Sequence, residues 1–139
     1  MKMNYKRRNF IKSAAAGVAG AGLLSASSYH HTKNDTIKNM FIHHVFFWLK
    51  QPVTQEIRNK FEQALKELVK VETIVDYHLG VPASTDREVI DTTYSYSLLV
   101  LFRNKEDQDI YQTHPKHLKF IEDCQDLWER VVVYDTVSI

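Results

Sequence analysis

The sequence holds a single cysteine, Cys124, among its 139 residues. One thiol forms no intrachain disulfide, so no covalent staple supports the fold in any compartment. Neither a Gly-rich phosphate loop nor a Gly-x-Ser-x-Gly nucleophile elbow occurs, which leaves nucleotide chemistry and serine hydrolysis without their machinery. The histidines lack an accompanying cluster of Asp, Glu or Cys. His114 and His117 stand three apart, and His43 or His44 would add an imidazole, but strand neighbours point to opposite faces and no ligand set is completed. An excess of one charge is missing too, since Lys and Arg number 18 against 17 Asp and Glu. Five of those bases and no acid lie in residues 1–28, so the remainder carries 13 against 17, a net −4 with neutral histidines. A mildly acidic chain has no electrostatic footprint for nucleic acid.

The basic start has its own reading. Lys6-Arg7-Arg8-Asn9-Phe10-Ile11-Lys12 resembles a twin-arginine export signal, with Lys6 where Ser or Thr is usual and Ile11 where Leu is common. A mildly apolar, Ala- and Gly-rich run over residues 14–24 follows, weak as a membrane span. Residues 1–28 are therefore expected to be a signal peptide cut near Ser25-Ala26-Ser27. The alternative is an uncleaved anchor, which would be the only membrane contact. No cysteine follows that would take a lipid. Export to a bacterial periplasmic or extracytoplasmic space is the expected location. Residues 29–39, with His30-His31, read as a polar linker, and residues 40–139 as one domain.

Within that domain, residues 40–50 read as a strand with two bulky faces. His43, Val45, Phe47 and Leu49 share one face; Ile42, His44, Phe46 and Trp48 share the other. Thr54 is an expected N-cap for a helix to about Val69, with Ile57, Phe61, Ala64, Leu65 and Leu68 on one side. Residues 75–81 alternate as a second strand, and 82–91 form a polar connection. Residues 92–102 read as a third strand, with Tyr94, Tyr96, Leu98, Val100 and Phe102 on one face. A short helix from Asn104 to about Thr113 is followed by one from Pro115 to about Glu129. Residues 130–137 close the chain as a fourth strand.

This order predicts an α+β, ferredoxin-like βαββαβ fold: an antiparallel sheet with helices on one face. Such a sheet normally alternates apolar and polar residues, leaving its open face to water. Here several strands are apolar on both faces. A monomer would expose Phe46, Trp48 and Leu99 as a large patch. A second copy packed sheet to sheet is the expected cover, giving a two-fold homodimer.

Pro115 organises the candidate site. It pushes His114 toward extended geometry and suits the first position of a helix. On one continuous helix of ~3.6 residues per turn, Tyr111 and His117 would lie about 240° apart. A break at His114 lets both turn toward one pocket. His117 falls on the apolar stripe of Phe120, Ile121, Cys124, Leu127 and Trp128. Such a histidine is either a core group satisfied by a carbonyl or a tyrosine, or a general acid/base at the wall of an apolar pocket.

His43 and Lys50 in the first strand, Tyr111-x-x-His114-Pro115-x-His117, and Trp128-Glu129-Arg130-Val131 running into Tyr134-Asp135 together resemble the stress-responsive A/B barrel (Dabb) family. The resemblance spans about residues 41–136 and implies a dimeric α+β barrel. One relative is a plant polyketide cyclase that forms olivetolic acid by aldol condensation without a cofactor. By resemblance, its catalytic tyrosine and histidine match Tyr111 and His117, and its strand-one histidine matches His43. Its pocket-lining positions match Val45, Phe47, Phe61, Leu98, Val100, Phe120 and Trp128. His114 is placed with these substrate-binding residues, as is Tyr96, which stands where that enzyme has a third-strand histidine.

Three functions follow as expectations. The first is a cofactor-free acid/base enzyme, of cyclase, aldol or lyase type, on a small apolar or aromatic carbonyl compound. His117 would move the proton, Tyr111 would hydrogen-bond the oxyanion, and His43 would orient substrate or His117. The second is a non-catalytic module holding a small apolar ligand in the same pocket. The third is a structural, stress-associated homodimer whose histidines are core groups.

Overall fold

The computed structural model describes residues 37–139. The signal-peptide reading of residues 1–28 and most of the linker reading lie outside the described residues. Among the described residues no helix is long and apolar enough to cross a membrane.

The chain runs β1 (Phe41–Leu49), α1 (Gln55–Leu68), β2 (Asp76–Gly80), β3 (Tyr96–Phe102), α2 (Lys105–Thr113), α3 (Pro115–Cys124) and β4 (Trp128–Thr136). The strands form one sheet in the order β2-β3-β1-β4, and every neighbouring pair is antiparallel. This is the expected ferredoxin-like arrangement, with the helices on one face.

Period-two alternation sets what each strand presents. Along β1, His43, Val45, Phe47 and Leu49 are buried beneath the helices, while Ile42, His44, Phe46 and Trp48 are half-buried on the other face. β3 buries Tyr96, Leu98, Val100 and Phe102 on the helix side. α1 is capped by Thr54, whose side chain accepts from the Ile57 amide at 3.2 Å. It then drops Phe61, Leu65 and Leu68 into the core. Phe47, Phe61, Phe120 and Trp128 meet with ring centroids 5.1–6.1 Å apart. Such aromatic pairs are worth roughly 0.5–1.5 kcal/mol each beyond their buried area.

Three boundaries differ from the expectation by two residues or more. β3 starts at Tyr96 rather than Thr92. Asp91 takes the Thr93 amide at 2.8 Å and its hydroxyl at 2.6 Å, so a local side-chain turn competes with the ladder. α3 ends at Cys124 rather than near Glu129, and β4 begins at Trp128 rather than Arg130. Leu127 donates back to the Cys124 carbonyl, and Lys50 donates to the Leu127 carbonyl. Trp128 then pairs with Leu49 across a register shift. Cross-strand hydrogen bonds thus capture residues whose spacing alone reads as helical.

Candidate functional site

The break at Pro115 forms as its chemistry requires. His114 is extended, with φ −66° and ψ 139°, and serves as the last cap of α2 and the first of α3. Its Nδ1 accepts from the Lys116 amide at 3.1 Å, and its Nε2 lies 3.3 Å from the Glu72 carboxylate. His114 is therefore occupied as a cap and does not line the cavity described next.

The turn at His114 brings Tyr111 and His117 together, with ring centroids 4.7 Å apart. Tyr111 also meets the His43 ring edge-on at 5.9 Å. All three line a cavity of about 210 Å³ between the sheet and α2–α3. Val45, Phe47, Leu98, Phe120 and Trp128 complete much of its apolar wall, as expected. Phe61, Val100 and Tyr96 do not line it. Phe61 is fully buried among the other aromatics, and Val100 is fully buried in the core. Tyr96 faces a separate hollow and donates its hydroxyl to Glu62 at 2.8 Å. A larger groove of about 400 Å³ runs between α1 and α3, rimmed by Lys60, Lys116 and Lys119, and holds none of the three site residues.

The electrostatics separate the three polar groups. Tyr111 is 1% exposed. Burial alone pushes its phenol far above the ordinary range, with no hydrogen bond contributing. The hydroxyl is thus a neutral donor at any ordinary pH. Burial also lowers the pKa of His117; the Gln112 carbonyl opposes this, and His43 adds a further lowering. His117 Nδ1 is enclosed and makes no hydrogen bond among the described residues. An orphaned buried nitrogen costs about 1–3 kcal/mol, while the Gln112 carbonyl meets the same ring as the core reading of this histidine requires.

His43 is different: its Nδ1 lies 2.6 Å from Asp135 Oδ1. A carboxylate accepts, so Nδ1 carries the proton and Nε2 of the neutral ring is left as an acceptor. Asp135 is paired with His43 in the β1–β4 register. The sequence reading missed this functional pairing, and its signal was only the alternation that sends Val131, Val133 and Asp135 to one face of β4. Val131 and Val133 are partly exposed and form the open side of the cavity. Leu68, Gln112 and Ile121 are further lining residues not foreseen.

An apolar hollow with two unpartnered polar groups, a neutral base and a neutral donor suits proton transfer at a carbon or oxygen next to a carbonyl. The described residues contain no group of three or more His, Cys, Asp or Glu able to hold a metal ion.

Residues 41–138 match the stress responsive A/B barrel domain, Dabb. No curated protein matches. A Dabb family protein with a ferredoxin-like fold from Mesorhizobium loti is 22% identical, with TM-score 0.60, covering 72% of this chain and 97% of its own. A dimeric protein of unknown function from Bacteroides fragilis is 24% identical, with TM-score 0.57, covering 73% and 98%. The hydroxynitrile lyase of Passiflora edulis is 18% identical, with TM-score 0.61, covering 73% and 94%. At these identities the likeness shows a shared fold.

Proposed function

The chain belongs to the stress-responsive A/B barrel (Dabb) family, and on that premise we propose that it is a cofactor-free acid/base enzyme acting on a small, neutral aromatic or apolar carbonyl compound. The observation that carries this is that Tyr111 and His117 line one cavity, where the Tyr111 hydroxyl makes no hydrogen bond among the described residues and His117 Nδ1 is enclosed without one. His117, neutral at pH 7, takes the proton from the carbon or hydroxyl of the substrate. Tyr111 donates a hydrogen bond to the oxygen on which charge grows, in a site where that bond is strengthened by exclusion of water. Asp135 holds His43 in one tautomer, so that Nε2 can accept a substrate hydroxyl or steady His117.

Among the described residues no Lys or Arg lines the cavity, which favours uncharged substrates. A volume near 210 Å³ suits one ring with a short substituent. The relative described as a hydroxynitrile lyase supports a lyase or aldol type of reaction, in which a carbon–carbon bond beside a hydroxyl is broken or made. Breaking it sends the hydroxyl proton to the base and the bonding pair to the departing carbon.

The protein acts as a homodimer in this reading, joined through the sheet face that carries Phe46, Trp48 and Leu99. Half-buried apolar side chains with no helix over them support it, as do relatives described as dimeric. Export by a twin-arginine route rests on Lys6–Lys12 and belongs to the same proposal.

The test is a nuclear magnetic resonance assay of the protein with a panel of single-ring aldehydes, their cyanohydrins and aldol donors. Turnover that vanishes in His117→Ala and in Tyr111→Phe, with circular dichroism unchanged, supports catalysis. A ligand that binds in the cavity and is released unchanged supports the binding module instead. No binding and no turnover across the panel would leave only the structural dimer.

A further inference from the structure

The sheet face turned away from the helices is largely apolar along β1 and β3, with Asp76, Ser97, Arg130 and Thr136 as polar positions, and two imidazoles share one row. Register places His78 of β2 opposite Leu99 of β3, Leu99 opposite His44 of β1, and His44 opposite Tyr134 of β4. Two imidazoles thus flank a leucine across the middle of the face. His44 lies on a central strand with its ring 4.2 Å from Phe46. Any sheet laid on this face covers it.

The charged and titratable groups around this row are few. From β2 comes Asp76, beside His78 on the same face, with its carboxylate accepting from the Tyr77 amide at 2.8 Å. From β4 come the Tyr134 phenol and, farther along, Arg130, whose guanidinium lies 4.2 Å over the Trp48 ring. β3 offers only Ser97, Leu99 and Leu101. The linking segment before β3 contributes Tyr94, packed on Phe46 at 4.9 Å. His43 lies on the opposite face. No carboxylate pairs with His44 in the hydrogen-bond or ion-pair geometry of the described residues.

We infer that sheet-to-sheet association of two copies is gated by protonation of His44, so that the assembly holds at neutral pH and opens in acid. The inference rests on the homodimer reading above. A neutral imidazole can be covered by an apolar partner at modest cost, whereas a His44 imidazolium loses its water with no carboxylate in hydrogen-bond or ion-pair range among the described residues. Two-fold symmetry brings one His44 from each copy to the covered face, so protonation of the pair adds repulsion to desolvation. Within one chain, burial already lowers the His44 pKa, and His78 and then His43 lower it further. A second copy extends the same trend. A histidine whose pKa falls on association favours the associated state above its free pKa. That preference is lost as pH drops below it.

The experiment is sedimentation velocity of the full chain at pH 8.0, 6.5 and 5.5, with circular dichroism at each pH. The expected result is a dimer at pH 8.0 and a dissociation constant at least roughly tenfold higher at pH 5.5, since each excluded proton costs up to about tenfold per pH unit. His44→Gln keeps the size and removes the charge, and His44→Phe replaces the ring with an apolar one; either should flatten that slope. A wild-type dimer of equal strength at both pH values overturns the gate and leaves the dimer standing. An unchanged slope in a folded His44 variant does the same. A monomer at pH 8.0 overturns the dimer itself, and the gate with it.

Discussion

His43 and Asp135 are 92 positions apart in the chain, and their side chains meet at 2.6 Å. The histidine side chain is 6% exposed and the aspartate 44%. One end of the contact is held by the core and the other lies at the sheet edge. The pair therefore orients a ring more than it stabilises the domain, because a half-solvated hydrogen bond contributes about 0.5–1.5 kcal/mol.

Asp135→Asn tests that orientation. An amide can present its N–H to Nδ1 and turn the ring to the other tautomer. Turnover should fall by at least about tenfold, with stability changed by less than about 1 kcal/mol. Steady-state rates and thermal melts measure the two, and nitrogen chemical shifts of His43 report the tautomer. A large loss of stability with unchanged rate would assign the pair to the fold alone.

Tyr111→Phe removes a cavity-lining hydroxyl that makes no hydrogen bond among the described residues. Removing an unpaired polar group is neutral or slightly stabilising, within about 1 kcal/mol. The variant should melt at or above the wild-type temperature and lose ligand affinity or turnover. Calorimetry on the free and ligand-bound protein separates the effects. A marked drop in melting temperature would mean that the hydroxyl does have a partner inside the fold.

The lowered pKa of His117 sets a pH dependence. Because the native state resists protonation, its stabilising contribution is present above the ordinary value of 6.5 and is lost as pH falls through the lowered value. Activity that needs the neutral ring should fall in the same direction. His44 shifts the same way, so the difference between wild type and His117→Gln isolates one residue. Thermal unfolding between pH 5 and 8 should show a shallower acid loss in the variant. Parallel curves would remove His117 as the titrating group.

His114 is predicted to matter for stability through its cap. His114→Ala should cost about 0.5–2 kcal/mol, and His114→Asn should restore most of it. Both should leave the substrate range of the cavity unchanged. Urea unfolding and the ligand panel check the two halves. A changed substrate preference in the Asn variant would return this residue to the pocket.

The reach of each part of the site determines how legible it was. Tyr111, His117 and the intervening break lie within seven residues of one chain segment, and their meeting follows from the fixed φ of Pro115 and helical spacing. The face shared by His43, Val45 and Phe47 followed from strand alternation. Neither period specifies what stands opposite. The partnership of His43 with Asp135, the diversion of Tyr96 to Glu62 and the exclusion of Phe61 from the wall depend on which strands and helices become neighbours.

By itself, then, the amino-acid order determined the number and kind of elements, the two-faced strands, the Thr54 and Asn104 caps and the turn that aims two rings together. These are short-range consequences of backbone geometry and side-chain shape. Tertiary structure decided where α3 yields to β4, which apolar residues surround the hollow and which fill the core, and which carboxylate holds His43. Those outcomes depend on register between distant strands, where cross-strand hydrogen bonds and close packing outweigh local preference.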